Sequence, residues 1–185
     1  LEAELAERTG LDPAAVLVTA GADDALDRLF RTYLEPGRNL VVATPTFEMI
    51  PRYARLAGAE VRTTPWPREA FPTAAMLDLV DEDTGIIAVV TPNNPTGQIY
   101  SKESLDALGT LLVEKSRELG RIIYLVSDEP YRKIVFDGAQ VPSIFQSYEQ
   151  SVIATSYSKD ISIPGERIGF AAVNPAATHK DQLMA

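Results

Sequence analysis

"GIIAVVTPNNPTG", residues 85–97, joins an unbroken apolar run at 86–90 to a turn made of Thr, Pro, Asn and Gly. A run that is apolar at every position, with no polar alternation, suits a strand covered on both faces. Comparable runs rich in Val and Ile recur at 16–18, 40–43, 122–126, 152–154 and 168–173. The stretches between them carry helical spacing instead. Leu26, Leu29, Phe30 and Tyr33 fall on one face of 23–34, and Leu105, Leu108, Leu111, Leu112 and Leu119 on one face of 101–119. Ser101 is a helix start and Gly120 a stop. Residues 47–56 read as a further helix closed by Gly58, with a short strand at 60–63 behind it. Alternation of this kind predicts an α/β fold: a three-layer sandwich, its mainly parallel sheet covered by helices on both faces. No internal repeat or low-complexity linker interrupts it, so residues 1–185 read as a single domain.

The chain has 185 residues and is 45% hydrophobic, enough for one substantial core. A net charge of −9 and the lack of any basic block argue against a nucleic-acid surface. The sequence has no cysteine, so neither a disulfide framework nor a thiolate metal site is expected. His179 is the sole histidine, which argues against a His-rich metal site and a Ser-His-Asp triad. No apolar run approaches the length of a membrane span, and no signal-peptide pattern opens the chain. The expectation is a cytoplasmic protein with no membrane partner and no metal. The first residue is Leu1, not an initiator Met, so the chain reads as part of something longer.

In open parallel α/β sheets, ligands bind beyond the carboxyl ends of the strands. "TAGADDAL" follows the run at 16–18, "TPTFEM" the run at 40–43, and "TPNNPTG" the run at 86–90. "SDEPYRK" follows 122–126, and "TSYSKD" follows 152–154. These five ends bring Gly21, Phe47, Asn94, Asp128 and Lys159 to one rim. "AGADDAL" sets a glycine before a helix, a backbone anion site suited to phosphate, or a tight turn capped by Asp23. Asp23 and Asp24 would repel an anion, so a phosphate there needs the backbone or a neutralised neighbour. "TPNNPTG" by itself reads first as turn chemistry, with a fixed amide donor at the sheet edge as the functional alternative. Asp128 closes an apolar run, where a carboxylate is costly without a cationic partner. Tyr131 would share its face after one helical turn, unless Asp128 caps a short helix begun by Pro130. Lys159 sits at the inner end of another apolar run, also a costly place, with Arg167 and a Pro-Gly pair following.

A lysine amine becomes a covalent catalyst by forming a Schiff base with a carbonyl. Ser156, Ser158 and Arg167 supply phosphate donors around it, the arginine as a fork. One ligand fits every group: an aldehyde for Lys159, a pyridine nitrogen for Asp128, a ring oxygen for Asn94 and Tyr131, an aromatic face for Phe47, and a phosphate. That ligand is pyridoxal 5′-phosphate.

With these motifs in this order, the sequence resembles the large domain of fold-type I pyridoxal-phosphate enzymes, specifically the class I/II aminotransferases. The resemblance runs from Gly21 to Gly169. It implies that Gly21, Ala22 and Asp23 cradle the phosphate together with Ser156 and Arg167. It also implies that Phe47 stacks on the ring, that Asn94 and Tyr131 meet the phenolic oxygen, and that Asp128 partners the pyridinium. Lys159 in "SYSK" matches the Schiff-base lysine, with Asp128 and Tyr131 beside it in the catalytic set. Implied substrates are an amino acid and a 2-oxo acid, and the full-length protein is expected to be a homodimer. The family's N-terminal segment and small C-terminal domain are not represented, so the chain reads as a large-domain fragment without the arginine that clamps the substrate carboxylate. "GADDAL" leans towards histidinol-phosphate aminotransferases, while "SDEPYRKIVFDG" and "GERIGF" lean towards aspartate-type ones. Decarboxylases and lyases share the same cofactor grip, and the ligand-sensing domain of a transcription regulator is the alternative from another class.

Overall fold

The computed structural model, which describes residues 1–66 and 71–184, places the apolar runs in one sheet. Its strands are β1 (Val16–Thr19), β2 (Asn39–Thr44), β3 (Glu60–Pro65) and β4 (Thr84–Val90). They continue with β5 (Tyr124–Asp128), β6 (Ser151–Ser156) and β7 (Gly169–Val173). The order across the sheet is β1-β7-β6-β5-β4-β2-β3. Every pairing from β6 to β3 is parallel, whereas β7 runs antiparallel to both β6 and β1. β1 therefore points the same way as the parallel set, and β7 alone is reversed.

The helices are α1 (Glu2–Thr9), α2 (Ala22–Tyr33), α3 (Met49–Leu56) and α4 (Thr73–Leu77). After them come α5 (Lys102–Glu118), the single turn α6 (Tyr157–Asp160) and α7 (Lys180–Met184). None among the described residues is long and apolar enough to cross a membrane.

Alternation along the strands sorts the core into two layers. Leu40, Val42, Ile86, Ala88 and Val126 pack with Leu26, Leu29 and Phe30 of α2 and Ile50 and Ala54 of α3. Their neighbours Val41, Ala43, Ile87, Val89 and Leu125 pack on the other face with Met76 of α4 and Leu105, Leu108 and Leu112 of α5. At the β1 edge, Leu5 and Ala6 of α1 cover Val16, Phe170 and Ala172. The sheet is thus covered on both faces, the three-layer α/β sandwich expected. All of β4 is buried, as its unbroken apolar run requires. β3 lies at the sheet edge and is partly exposed. In α5 the Ser101 hydroxyl caps the start by accepting from the Ser104 N–H at 3.1 Å.

Several boundaries differ from the sequence reading. The expected strand at 122–126 is paired at 124–128, because Tyr124 pairs with Ile86 and the ladder continues to Asp128 opposite Val90. α2 starts at Ala22 with Gly21 at its N-cap, so Asp23 lies inside the helix and caps nothing. Pro130 starts a turn over 130–133 and no helix, so Asp128 caps no helix there.

Candidate active site

The edge formed by the carboxyl ends of β1, β2, β4, β5 and β6 is also where β7 begins. One cleft of about 200 Å³ opens there. All the residues singled out from the sequence line it: Gly21, Ala22, Asp23, Phe47, Asn94, Asp128, Tyr131, Ser156, Ser158, Lys159 and Arg167. Pro130, Ile163, Pro164 and Ile168 line it as well. The sequence reading did not nominate these four. Their signal was position alone, each lying beside a polar motif.

Asp128 dominates the electrostatics. It is the last residue of β5, only 2% exposed, and paired through its backbone with β4 on one side and β6 on the other. Its Oδ1 is buried without a hydrogen-bond partner. Loss of hydration pushes its carboxyl up to about 8, and the charges of Asp23 and Glu129 add to the rise. No cation among the described residues offsets this.

Lys159 corrects the expectation of a costly buried amine. It lies past the end of β6, in α6, and is exposed. Its Nζ is 5.7 Å from the centroid of the Tyr131 ring, so amine and phenol meet at the cleft wall. Beside them, Ser156 Oγ and Ser158 Oγ are 2.7 Å apart.

One wall of the cleft is built by two chain segments. At the start of α2, the N-cap Gly21 offers no side-chain oxygen to the first-turn N–H groups, which have no acceptor within the helix. Gly21 adopts a positive φ of 89°, a conformation costly for any other residue. A Cβ there would also lie 2.9 Å from Arg167 Nη2, so a side chain would displace the guanidinium. Arg167 comes from the other segment, just ahead of reversed β7, and donates from Nη2 to Asp23 Oδ2 and the Ala20 carbonyl, both at 3.4 Å. Asp24 is neutralised by Arg28 at 2.9 Å and accepts from the Ala20 N–H. The two acidic groups beside the helix start are therefore each matched to an arginine.

The two asparagines of "TPNNPTG" divide the alternatives between them. Asn93 is buried and performs the turn chemistry: its Oδ1 accepts from the Thr96 N–H at 3.3 Å and hydroxyl at 3.0 Å, and its Nδ2 donates to the Pro45 carbonyl. Asn94 faces the cleft.

A family model described as aminotransferase class I and II matches residues 1–185. Histidinol-phosphate aminotransferase of Geobacillus thermodenitrificans is 34% identical over 175 residues, covering 92% of this chain and 45% of that protein. Aspartate/prephenate aminotransferase of Thermus thermophilus is 33% identical over 162 residues, covering 86% of this chain and 40% of that protein. Among solved structures, an amino transferase from Eubacterium rectale superposes with a TM-score of 0.91 at 34% identity, covering 98% of this chain and 47% of that one. A tetra mutant of Thermus thermophilus aspartate aminotransferase gives a TM-score of 0.87 at 30% identity, covering 99% and 50%. The chain spans about half the length of the relatives it matches.

Proposed function

This chain belongs to the class I and II aminotransferase family, and we propose that its cleft holds pyridoxal 5′-phosphate, the cofactor of that family, and moves an amino group from an amino acid to a 2-oxo acid. The observation that carries the proposal is Asp128, a buried carboxylate with an unpartnered oxygen lining the cleft. Such a group is costly unless a cation reaches it. A protonated pyridine nitrogen is a cation that removes that cost.

The rest of the donor set suits the rest of that molecule. Arg167, the two serines and the free N–H groups of α2 fit a phosphate dianion. Phe47 offers an aromatic face, Asn94 and Tyr131 offer donors for a ring oxygen, and Lys159 offers an amine for an aldehyde. When bound, pyridoxal phosphate supplies the electron sink for the carbanion left by loss of an amino acid's α-proton. Asp128 would hold a proton on the ring nitrogen. Lys159 Nζ would face the aldehyde carbon, and its free amine would serve as general base for the proton on the substrate Cα. Arg167 and its neighbours fix orientation without joining the proton transfers.

Arg167 is the one arginine lining the cleft among the described residues, and it is engaged with Asp23 and Ala20. We infer that the substrate α-carboxylate meets a cation from outside these residues, and that the 185 residues form one cofactor-binding large domain. The test is borohydride reduction of the protein loaded with pyridoxal phosphate, followed by peptide mapping. The pyridoxyl label is expected on Lys159. A label on Lys133 or Lys102 in its place would overturn the assignment.

A further inference from the structure

Asp128 has a neighbour of the same chemistry in the opposite condition. Glu129 is 1% exposed, yet all of its polar groups are partnered. Its N–H donates to the Ala154 carbonyl at 2.8 Å, and its own carbonyl accepts from the Thr155 hydroxyl at 3.1 Å. Its Oε1 accepts from Ser127 Oγ at 2.8 Å, and its Oε2 from Arg132 Nη1 at 2.6 Å. Strand alternation sends the two carboxylates to opposite faces: Asp128 to the face of Val126 and α2, Glu129 to the face of Leu125. Glu129 and Arg132 line a second cavity of about 430 Å³, which shares Pro130 and Ser156 with the first.

Arg132 is the hub of this reverse side. Its Nη1 also donates to the Pro142 carbonyl at 3.3 Å, and its Nη2 to the Val141 carbonyl at 2.7 Å. One guanidinium thus ties the 130–133 turn, which carries Tyr131, to the loop at Val141 and Pro142 and to the residue that follows β5. Through Thr155 and Ala154, Glu129 is also joined to β6, which leads directly into Lys159.

We propose that Glu129 and Arg132 are positioning residues of the cofactor site, their ion pair on the back of the sheet fixing the turn that follows Asp128 and presents Tyr131 to the cleft. The inference rests on the cofactor proposed above and on no particular substrate. An ion pair whose carboxylate is buried and whose guanidinium is partly exposed adds little net stability. What it adds here is geometry: four directed hydrogen bonds and a planar fork fix the backbone on either side of Pro130. Asp128 is left with an open oxygen, while its neighbour is saturated. The first is available to a ligand and the second is not.

The experiment compares Arg132→Leu, Arg132→Lys and Glu129→Gln with the parent in the full-length protein. Pyridoxal phosphate is titrated into each, and affinity and the absorbance maximum of the bound cofactor are read beside circular dichroism and the thermal midpoint. Arg132→Leu is expected to weaken the cofactor about tenfold or more, the loss typical of a charged hydrogen bond, and to move the absorbance maximum. Arg132→Lys keeps the charge but loses the fork, so both readings should recover in part. Should Arg132→Leu fail to fold, Arg132→Lys and Glu129→Gln carry the same comparison at smaller amplitude. Parent-like affinity and absorbance in the folded variants, with only a lowered thermal midpoint, would overturn the positioning role alone. A parent protein that binds no pyridoxal phosphate would overturn the proposed function, and this inference with it.

Discussion

Asp128→Asn should make the cofactor-free protein gain stability relative to the parent as pH rises from 4 to 7. In the folded chain the Asp128 carboxyl is raised from 3.8 to about 8. Below pH 4 it is protonated in folded and unfolded chains alike, and its burial carries no ionisation penalty. Between pH 4 and 8 the unfolded chain releases the proton while the folded chain retains it, so folding stability falls with pH across that window. Each pKa unit is worth about 1.4 kcal/mol, so by pH 7 the burden amounts to about 4 kcal/mol. Asparagine keeps the shape but cannot ionise. Its amide leaves a buried donor unmatched, at a pH-independent cost of about 1–3 kcal/mol. The diagnostic quantity is therefore the slope of the stability difference, not its value at any one pH. Urea unfolding of both proteins at several pH values between 4 and 8 measures it. A difference that stays flat over that range would refute the reasoning, because it would mean that Asp128 ionises freely in the folded chain. Adding pyridoxal phosphate should reverse the ranking, since only the carboxylate gains from a ring cation. Turnover should be largely lost in the variant.

The proposed phosphate side of the cleft yields two further outcomes. Arg167→Ala should raise the dissociation constant for pyridoxal phosphate about tenfold or more, the range of a lost charged hydrogen bond, as measured by fluorescence titration. Gly169→Ala should weaken both folding and cofactor binding: the added Cβ would meet the Gly21 backbone, with its Cα at 2.6 Å, and the Thr155 carbonyl at 2.7 Å. A thermal midpoint and a cofactor affinity both equal to the parent's would show that β7 and the start of α2 are free to separate.

Most of the architecture is legible in the sequence because buried parallel strands have no solvent face to hide in. The runs at 40–43 and 86–90 lie within β2 and β4, and the motifs after them lie in the cleft. The direction of β7 is not legible from its own residues, since an apolar run reads the same in either sense. The usable signal lies ahead of it. A parallel return needs a crossover, normally a helix, and residues 157–168 carry the single turn α6, a Pro-Gly pair and no helical period. That segment can only double back. The reversal has a chemical consequence. A strand that begins at the functional edge delivers its preceding residues to that rim, whereas the parallel strands deliver their succeeding ones. Arg167 reaches the start of α2 in this way, 3.4 Å from Asp23 and far from it in sequence.

The placement of the two central charges shows where sequence logic fails and why. Both Asp128 and Lys159 come after apolar runs, and both read as expensive. Asp128 belongs to the β5 ladder, with Val90 and Ala154 on either side, so its side chain leaves the sheet between two neighbouring strands and is stripped of water. Lys159 lies beyond Ser156, where β6 has ended and a single helical turn carries the chain outward. A difference of a few residues past the last ladder pair separates a dry carboxylate from a hydrated amine. The two placements suit the two tasks proposed above. A group that must hold a charged ring nitrogen gains from low dielectric and fixed geometry, while an amine that must bind, release and shuttle a proton needs room to move. The sheet supplies the first with its final hydrogen-bonded position and the second with the first turn after it.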